Sequence, residues 1–410
     1  MMRLVLRVFE IAGAVVLAGL FVVLAGDIAG LGLSDYILSS VFPVTVTTEK
    51  LQANYKTSKL KILVVPGHDN EFSGAEFRGV READLTLEVA KHLVDRFKKD
   101  PRFEVFTTRD FGSGDYTSEF SSFFIARAAD ISAFRNDLKN TMRKFVAEGV
   151  VRRNVAIERD NALDGISFRL YGINKWANDR EIDIVLHLHF NDYPVRRRSE
   201  AGKYSGFTIY TPEKQFGNAG ASKDLSRALF DQLATFFAPS DLPLEEGGII
   251  EDQELIALGS NASLKGAAAL IEYGYIYEPQ FRSLETRDAM MAELAYQTYR
   301  GLKNYFSSPA MRPLVFDTTL LPHRWTETLE RGVKASRAVL ALQAALRREG
   351  AYPPPGKTIQ DCPVNGSFGP CTEVAVAFFQ KRFLKDSVNE SELGIVGRKT
   401  ISELNRRYSL

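Results

Sequence analysis

Short, continuous apolar runs alternate with amphipathic helical stretches along most of the chain, and this alternation constrains the fold more than any other feature. The run "LKILVVPGH" is typical of a strand buried in a parallel sheet, and it ends in a Pro-Gly turn that carries His68. A helix is predicted from Glu82, with apolar residues along one face and "KKDP" at its end. The segment "FEVFTTRD" is then a second strand, which completes a β-α-β unit.

The alternation continues beyond this first unit. Residues 118–150 are predicted to be helical, and so are residues 222–237 and 288–306. Strand-like segments lie between and around these helices: "EIDIVLHLHFND", "YSGFTIYTP" and "AAALIEYGYIYEP". Strands and helices in this order predict an α/β fold with a mostly parallel sheet flanked by helices.

The first residues predict an export or membrane segment. Arg3 and Arg7 precede the apolar run "IAGAVVLAGLFVVLAG", which meets no charge until Asp27. With its apolar neighbours this run approaches the ~20 residues that cross a bilayer. No small-x-small cleavage site follows, so an uncleaved transmembrane helix over about residues 5–26 is favoured over a cleaved signal peptide. The arginines on the short side predict that the rest lies outside the cytoplasm, in the periplasm or cell envelope, or is secreted if the segment is cleaved.

Composition restricts both the partners and the metal ligands. The 52 basic residues nearly balance the 51 acidic residues, which argues against nucleic acid as a partner. Cys362 and Cys371 are the two cysteines of the chain, so any metal site must use histidines and carboxylates. The extracytoplasmic location and the turn-rich loop between them predict that these cysteines form a disulfide.

Unusual polar residues lie where the predicted strands end. His68 follows the first strand, His189 lies near the end of "IDIVLHLHFND", and Glu272 ends "AAALIE". Ligands of open α/β sheets bind beyond the carboxyl ends of the strands, so this edge is the candidate site. Strand alternation places His187, His189 and Asn191 on one face.

Three of these side chains make a candidate zinc site. Zinc prefers nitrogen and oxygen ligands in a tetrahedron, and a catalytic zinc keeps three protein ligands and one water. His68, Glu82 and His189 supply such a set. Each histidine alone is more often structural than a ligand, whereas the three together form a stronger pattern.

Five segments occur in the order, and nearly the spacing, of a known family. They are "ILVVPGH", "GVREADLTLEVAKHL", "TTRD", "DIVLHLHFND" and "ALIEYGYIYEP". Over about residues 59–306 the chain resembles the zinc-dependent N-acetylmuramoyl-L-alanine amidases of the amidase-3 type, which are cell-wall hydrolases. The resemblance implies one Zn²⁺ per catalytic domain, with His68, Glu82 and His189 as its ligands.

The resemblance also implies the catalytic residue. The family's catalytic glutamate lies in a Val-Glu-x-Gly-Phe strand end, which the Ile-Glu-Tyr-Gly-Tyr around Glu272 matches. A zinc-activated water would attack the lactyl carbonyl, and Glu272 would pass its proton to the departing alanine nitrogen. His187 stands where the family often has a small residue. We interpret His187 and Asn191 as candidate partners of a ligand or contacts to substrate, with a surface histidine as the alternative for His187.

The C-terminal segment resembles a second family. It is similar to a peptidoglycan-binding domain of three short helices in the segments "VLALQAALRREGAYPPPGK", "NGSFGPCTEVAVAFFQKRF" and "GIVGRKTISELNRR". A helical dimerisation module is the alternative.

The chain is therefore predicted to have four parts. They are an N-terminal anchor or signal segment with its linker (1–50), the amidase-like catalytic domain (51–306), a linker (307–332) and a small all-α peptidoglycan-binding-like domain (333–410).

Residues 111–167 interrupt the family pattern inside the catalytic domain. An apolar stripe at helical spacing predicts that this insertion packs against another part of the protein. The stripe consists of Phe123, Phe124, Ala128, Ile131 and Phe134. One interpretation is a hairpin on the flank of the domain, and the other is a lid, or a docking arm for a protein activator, near the cleft.

The sequence thus predicts a membrane-tethered zinc amidase that hydrolyses the amide between N-acetylmuramic acid and L-alanine in peptidoglycan. Two alternatives stay open. One is a catalytically inactive wall-binding or scaffolding protein of the same fold, and the other is a zinc peptidase that acts on another cell-wall amide. The intact set of candidate ligands and Glu272 favours an enzyme over a scaffold.

Overall fold

The computed structural model describes residues 42–153, 162–193, 196–197, 199–307 and 317–409. Its centre is a six-stranded sheet, and two further short strands form a separate hairpin. In chain order the strands are β1 (Leu60–Pro66), β2 (Glu76–Phe77), β3 (Val80–Arg81), β4 (Phe103–Thr107), β5 (Ile184–Asn191), β6 (Thr208–Pro212), β7 (Ile249–Asp252) and β8 (Ala267–Tyr275).

The large sheet is mostly parallel. Its strand order is β4-β1-β5-β8-β6-β7. The first four of these strands run parallel to one another, whereas β6 pairs antiparallel with β8 and parallel with β7. The mixed α/β architecture predicted from the alternating pattern is therefore confirmed.

Helices cover both faces of the sheet. In chain order they are α1 (Thr48–Thr57), α2 (Glu82–Lys99), α3 (Ser118–Ala126), α4 (Ala128–Ala147), α5 (Asp164–Asp179), α6 (Ala219–Leu233), α7 (Pro279–Arg282), α8 (Leu284–Phe306), α9 (Arg337–Arg348), α10 (Pro370–Phe383) and α11 (Arg398–Tyr408). One hydrophobic cluster joins α2, α6 and α8 to one face of the sheet. A second cluster joins α3 and α5 to the other face, where Phe120 and Trp176 pack at a ring-centroid distance of 4.6 Å.

The predicted fold class included an N-terminal transmembrane helix, and this part of the prediction is corrected. Within the described ranges, no helix combines the length and the apolar character that a membrane crossing requires. The long helices α2, α4 and α8 reach 18, 20 and 23 residues, but each carries charged side chains along its length. The run at residues 5–26, on which the prediction depended, lies outside the described residues.

The insertion at residues 111–167 contributes α3 and α4, which pack on α5. Of the predicted apolar stripe, Ile131 is fully buried, three phenylalanines are partly buried, and Ala128 is exposed. Gly172 of α5 permits the close approach, because a Cβ atom there would lie 2.8 Å from Cε1 of Phe124 and 3.3 Å from Cδ1 of Ile131. The predicted continuous helix is instead two helices, separated at Arg127.

Helices α9, α10 and α11 form the small C-terminal unit, and it contacts the sheet domain. The Arg347 side chain donates a hydrogen bond to the Thr235 carbonyl oxygen at 2.7 Å. Trp325, in the segment predicted as a linker, is buried and donates its indole N–H to the Ala338 carbonyl oxygen at 3.0 Å. The boundary between linker and domain at residues 332–333 stays a prediction, although the polypeptide before it is packed.

The predicted disulfide between Cys362 and Cys371 is confirmed. The two residues are covalently joined, and their Cα atoms are 5.8 Å apart. The bond closes the turn-rich loop that precedes α10, and the Cys362 side chain is buried. In the chain-entropy model so short a loop contributes about 2–3 kcal/mol to stability.

Candidate metal centre

The three side chains predicted as zinc ligands lie together at the carboxyl edge of the sheet. His68 follows β1, Glu82 is the first residue of α2, and His189 lies near the end of β5. One donor atom from each residue lies within 4.8 Å of the donor atoms of the other two. Nε2 of His68 is 3.1 Å from Oε2 of Glu82, and Nδ1 of His189 is 2.9 Å from Oε1. Long-range folding therefore assembles the set from three separate elements.

Two glycines leave the space that these side chains occupy. A Cβ atom on Gly67 would lie 2.3 Å from Cε1 of His189. A Cβ atom on Gly74 would lie 2.5 Å from Oε2 of Glu82, and Gly74 also has a left-handed φ of +71°. His68 itself has a φ of +63°, which turns its side chain out of the direction of β1. The local backbone is thus shaped around the cluster.

Glu82 is a buried carboxylate with four hydrogen-bonding partners. The backbone N–H groups of Ala75 and Phe190 donate to its two oxygens at 3.0 and 3.2 Å. Burial alone would raise the pKa of this carboxyl, but the hydrogen bonds from His189 and His68 hold the pKa well below its usual value. Glu82 is therefore ionised at neutral pH, as a metal-binding carboxylate must be.

The two histidines differ in their electrostatic environment. Burial lowers the pKa of His189 below its usual value despite the neighbouring carboxylate of Glu82. Burial also acts against a charge on His68, but the hydrogen bond and charge of Glu82 raise the pKa of His68. The backbone of Phe72 also contributes to the raised pKa of His68.

The donor set fits zinc. Two imidazole nitrogens and one carboxylate oxygen are a known three-ligand set for catalytic zinc. Glu82 is almost fully buried, whereas 29% of the His68 side chain is exposed. The cluster is therefore covered on one side and open on the other, as a catalytic zinc site would require for access by water or substrate.

Glu272, the predicted catalytic residue, lies on the strand next to His189. The two residues are direct partners in the parallel pairing of β5 and β8, and Glu272 is partly buried. Neighbouring strands are about 4.8 Å apart, and residues in register point to the same face. Glu272 thus shares a face of the sheet with His189, although it is not a member of the three-ligand cluster.

His187 is buried, so the alternative of a surface histidine is wrong. Burial and the nearby His189 lower the pKa of His187 to about 3, and its imidazole is therefore neutral. Its Nε2 atom has no hydrogen-bond partner among the residues that the structure describes. His187 also lines the cavity that contains His68 and His189.

Asn191 has a partner that the sequence analysis missed. Its side-chain amide donates to the Glu245 carboxylate at 2.7 Å. Glu245 is buried and also accepts hydrogen bonds from the hydroxyl groups of Tyr210 and Tyr275, at 2.8 and 3.3 Å. Nothing in "PLEEGG" distinguishes Glu245 from its exposed neighbour Glu246 before the chain is folded.

A salt bridge fixes the loop that follows His68. Arg169 of α5 donates to the Asp69 carboxylate at 2.7 Å and also pairs with Glu71. The other Asp69 oxygen accepts the backbone N–H groups of Glu71 and Phe72 at 2.9 and 2.8 Å. The loop is therefore held from α5 as well as by its own turn, which limits the positions open to His68.

A cavity of about 980 Å³ opens beside the histidines. Its floor is the carboxyl edge of β1 and β5, and the described parts of its walls come from α4, α5 and the segment after β7. This volume lies at the upper end of the range for small-molecule sites and is large enough for several residues of a peptide. The insertion therefore contributes part of the cleft wall.

Fold and cluster together define an α/β protein with a candidate metal centre at the carboxyl edge of its sheet. The chain belongs to the Amidase_3 family, described as N-acetylmuramoyl-L-alanine amidase, whose model matches residues 62–304. It is therefore an amidase-type hydrolase of the cell wall.

Solved structures show similarity to the chain at low sequence identity. An N-acetylmuramoyl-L-alanine amidase from Clostridium difficile 630 is 17% identical, with 61% of this chain and 98% of that chain covered and a TM-score of 0.37. AmiC2 of Nostoc punctiforme is 15% identical, with 60% and 97% covered and a TM-score of 0.37. Ami1 from Mycobacterium smegmatis is 15% identical, with 60% and 96% covered and a TM-score of 0.39. No curated protein matches the chain, so the assignment rests on the family model.

We predict that Gly67→Ala disrupts the metal centre. The added methyl group would lie 2.3 Å from the His189 ring, which must then move away from Glu82. Zinc affinity is expected to fall by roughly 10–100-fold, the range found when groups that orient a ligand are removed. Titration of the full chain with zinc measures this. Gly220→Ala is the control, since a Cβ atom there meets nothing within 4 Å, and equal zinc affinity of the two variants would contradict the prediction.

Proposed function

We propose that this protein is a zinc-dependent N-acetylmuramoyl-L-alanine amidase that hydrolyses the amide bond between N-acetylmuramic acid and L-alanine in peptidoglycan. The observation that carries the proposal is the cluster of His68, Glu82 and His189 beside an open cavity, in a chain that belongs to the Amidase_3 family. Family membership supports the amidase reaction, and the donor set supports zinc as its metal.

The three ligands would hold the ion through two imidazole nitrogens and one carboxylate oxygen. Zinc, when bound, supplies Lewis-acid polarisation of the scissile carbonyl and lowers the pKa of a water molecule to about 7. Glu82 contributes a negative charge that stays ionised, because hydrogen bonds offset the cost of its burial. The neutral imidazole of His189 leaves a lone pair available for a metal.

We assign proton transfer to Glu272. A carboxylate on the strand beside His189 can accept the proton of the attacking water and deliver it to the departing alanine nitrogen. That delivery makes the amine a neutral leaving group when the amide bond breaks. His187 lines the cavity with a neutral ring whose Nε2 atom has no hydrogen-bond partner among the described residues, so we propose that it contacts substrate.

The C-terminal unit of α9, α10 and α11 is proposed to bind peptidoglycan. Attachment to the polymer would raise the local concentration of the enzyme at its substrate. The disulfide between Cys362 and Cys371 supports an extracytoplasmic location, because such bonds persist in oxidising compartments. A protein activator that binds the insertion at residues 111–167 remains a candidate partner.

Product analysis tests the proposed reaction directly. The full chain is incubated with peptidoglycan, with and without a metal chelator, and the new chemical ends are identified. New amino-terminal L-alanine together with free lactyl carboxyl groups is expected, and the chelator should abolish both. New amino termini at other residues would favour the zinc peptidase, and the absence of new ends would favour the inactive wall-binding protein.

His68→Ala and His189→Ala are each expected to abolish stable zinc binding, because two protein ligands do not hold the ion as three do. Metal analysis of the purified variants after dialysis measures this. His92→Ala is the matched control, since His92 pairs with Asp288 at 3.5 Å, away from the cluster. Full zinc content in either site variant would remove that residue from the ligand set.

Glu272→Gln is expected to separate metal binding from turnover. The amide keeps the size of the side chain but cannot accept a proton, so kcat should fall by roughly 10²–10⁴-fold while zinc content stays unchanged. Paired measurements of kcat and bound zinc decide this. Turnover close to that of the unchanged protein would contradict the assigned role.

A further inference from the structure

Helix α4 of the insertion carries three cations on one face. Arg135, Lys139 and Arg143 follow one another at intervals of four residues, which places them one above the other along the helix. Lys139 and Arg143 line the same cavity as His68 and His189. Positive charge is thus brought into the cleft by a segment that interrupts the family pattern.

Only the first of these three cations forms a salt bridge with a carboxylate among the described residues. Arg135 donates to the Asp164 carboxylate at 2.7 Å. Nζ of Lys139 lies over the Tyr171 ring at 5.7 Å from its centroid, and Arg143 bonds the Asn140 amide oxygen at 3.3 Å. These contacts orient the two side chains but do not neutralise their charges.

The row of three positive charges destabilises helix α4 when no anion is near it. Like charges four residues apart weaken a helix, and α4 contains two such pairs in sequence. Lys139 is also half-buried, so part of its hydration is lost. By contrast, the neighbouring Lys144 is exposed and pairs with Glu148 at 3.9 Å. An anion in the cavity would compensate Lys139 and Arg143.

We propose that Lys139 and Arg143 form a subsite for a carboxylate of the peptide stem. The inference rests on the proposed function, since the substrate of that reaction is a peptide bound through its amino terminus, and such a peptide ends in a carboxylate. Two cations one helical turn apart can bind one carboxylate between them, and guanidinium and ammonium groups both form strong charge-assisted hydrogen bonds with it. The cavity connects this subsite with the candidate metal centre.

The proposed subsite gives the insertion a role in substrate binding, beyond packing on the flank of the catalytic domain. Met142 and Val146, on the same part of α4, also line the cavity and give it an apolar wall between and beyond the cations. An apolar wall lowers the local dielectric constant and strengthens the attraction between a carboxylate and the two cations. The substrate would therefore be selected by its charge at a distance from the scissile amide.

The test compares two muramoyl peptides that differ only in a free or an amidated carboxyl terminus. The double variant Lys139→Met, Arg143→Met keeps unbranched, flexible side chains and removes both charges. Its KM for the acid is expected to rise by about 10–100-fold with kcat nearly unchanged, in line with the loss of charge-assisted hydrogen bonds. The KM for the amide should stay the same. Lys144→Met, on the exposed side of the same helix, should change neither.

Two further experiments separate a loss of charge from a loss of folding or of turnover. The charge-preserving exchange Lys139→Arg, Arg143→Lys should retain the preference for the acid, and its unfolding temperature shows whether α4 tolerates substitution. Equilibrium binding of the released stem peptide and its amide to the zinc-loaded full chain measures recognition without turnover. Equal binding of acid and amide would overturn the subsite. A preference for the acid without any hydrolysis of the muramoyl peptides would overturn the proposed reaction and retain the subsite.

Discussion

The buried carboxylate of Glu82 is the interaction on which the rest of the site depends. An ionised group inside a protein is costly unless hydrogen bonds or opposite charges compensate it. Glu82 receives two backbone N–H groups and contacts two histidines, and as the first residue of α2 it also faces the positive end of the helix dipole. Displacement of β1, β5 or α2 would remove part of this compensation, so the position of the carboxylate constrains all three.

The buried Arg109 connects this centre with the insertion. Its guanidinium donates to the carbonyl oxygen of Ala83, in the first turn of α2, at 2.9 Å, and to that of Gly114 at 2.9 Å. One side chain therefore holds both the helix that begins with Glu82 and the first residues of the insertion. Because Arg109 follows β4, the insertion starts at the same edge of the sheet as the candidate metal ligands. That origin explains why α4 reaches the cleft.

The sequence predicts the parts of this structure that have a periodic or positional signal. The apolar run of β1 and the alternation of β5 placed His68 and His189 at strand ends, and Glu82 followed from the start of an amphipathic helix. Alternation does not encode strand direction, so the antiparallel pairing of β6 was not predicted. Burial of His187 and Glu245 also depends on neighbours distant in sequence, which no local pattern contains.

The position of Lys139 within α4 explains why its charge requires a partner from outside the helix. The negative end of a helix dipole stabilises cations, but this effect falls off within the last turn. Helix α4 ends at Ala147, so Lys144 lies in that last turn, whereas Lys139 lies more than two turns from the end. Ile131, the fully buried residue of this helix, lies in its first turn. Its apolar side chain cannot offset the positive charge of Lys139. Among the described residues, Asp164 acts on Lys139 but is already paired with Arg135, so an anionic group in the cleft would add to the stabilisation of this cation.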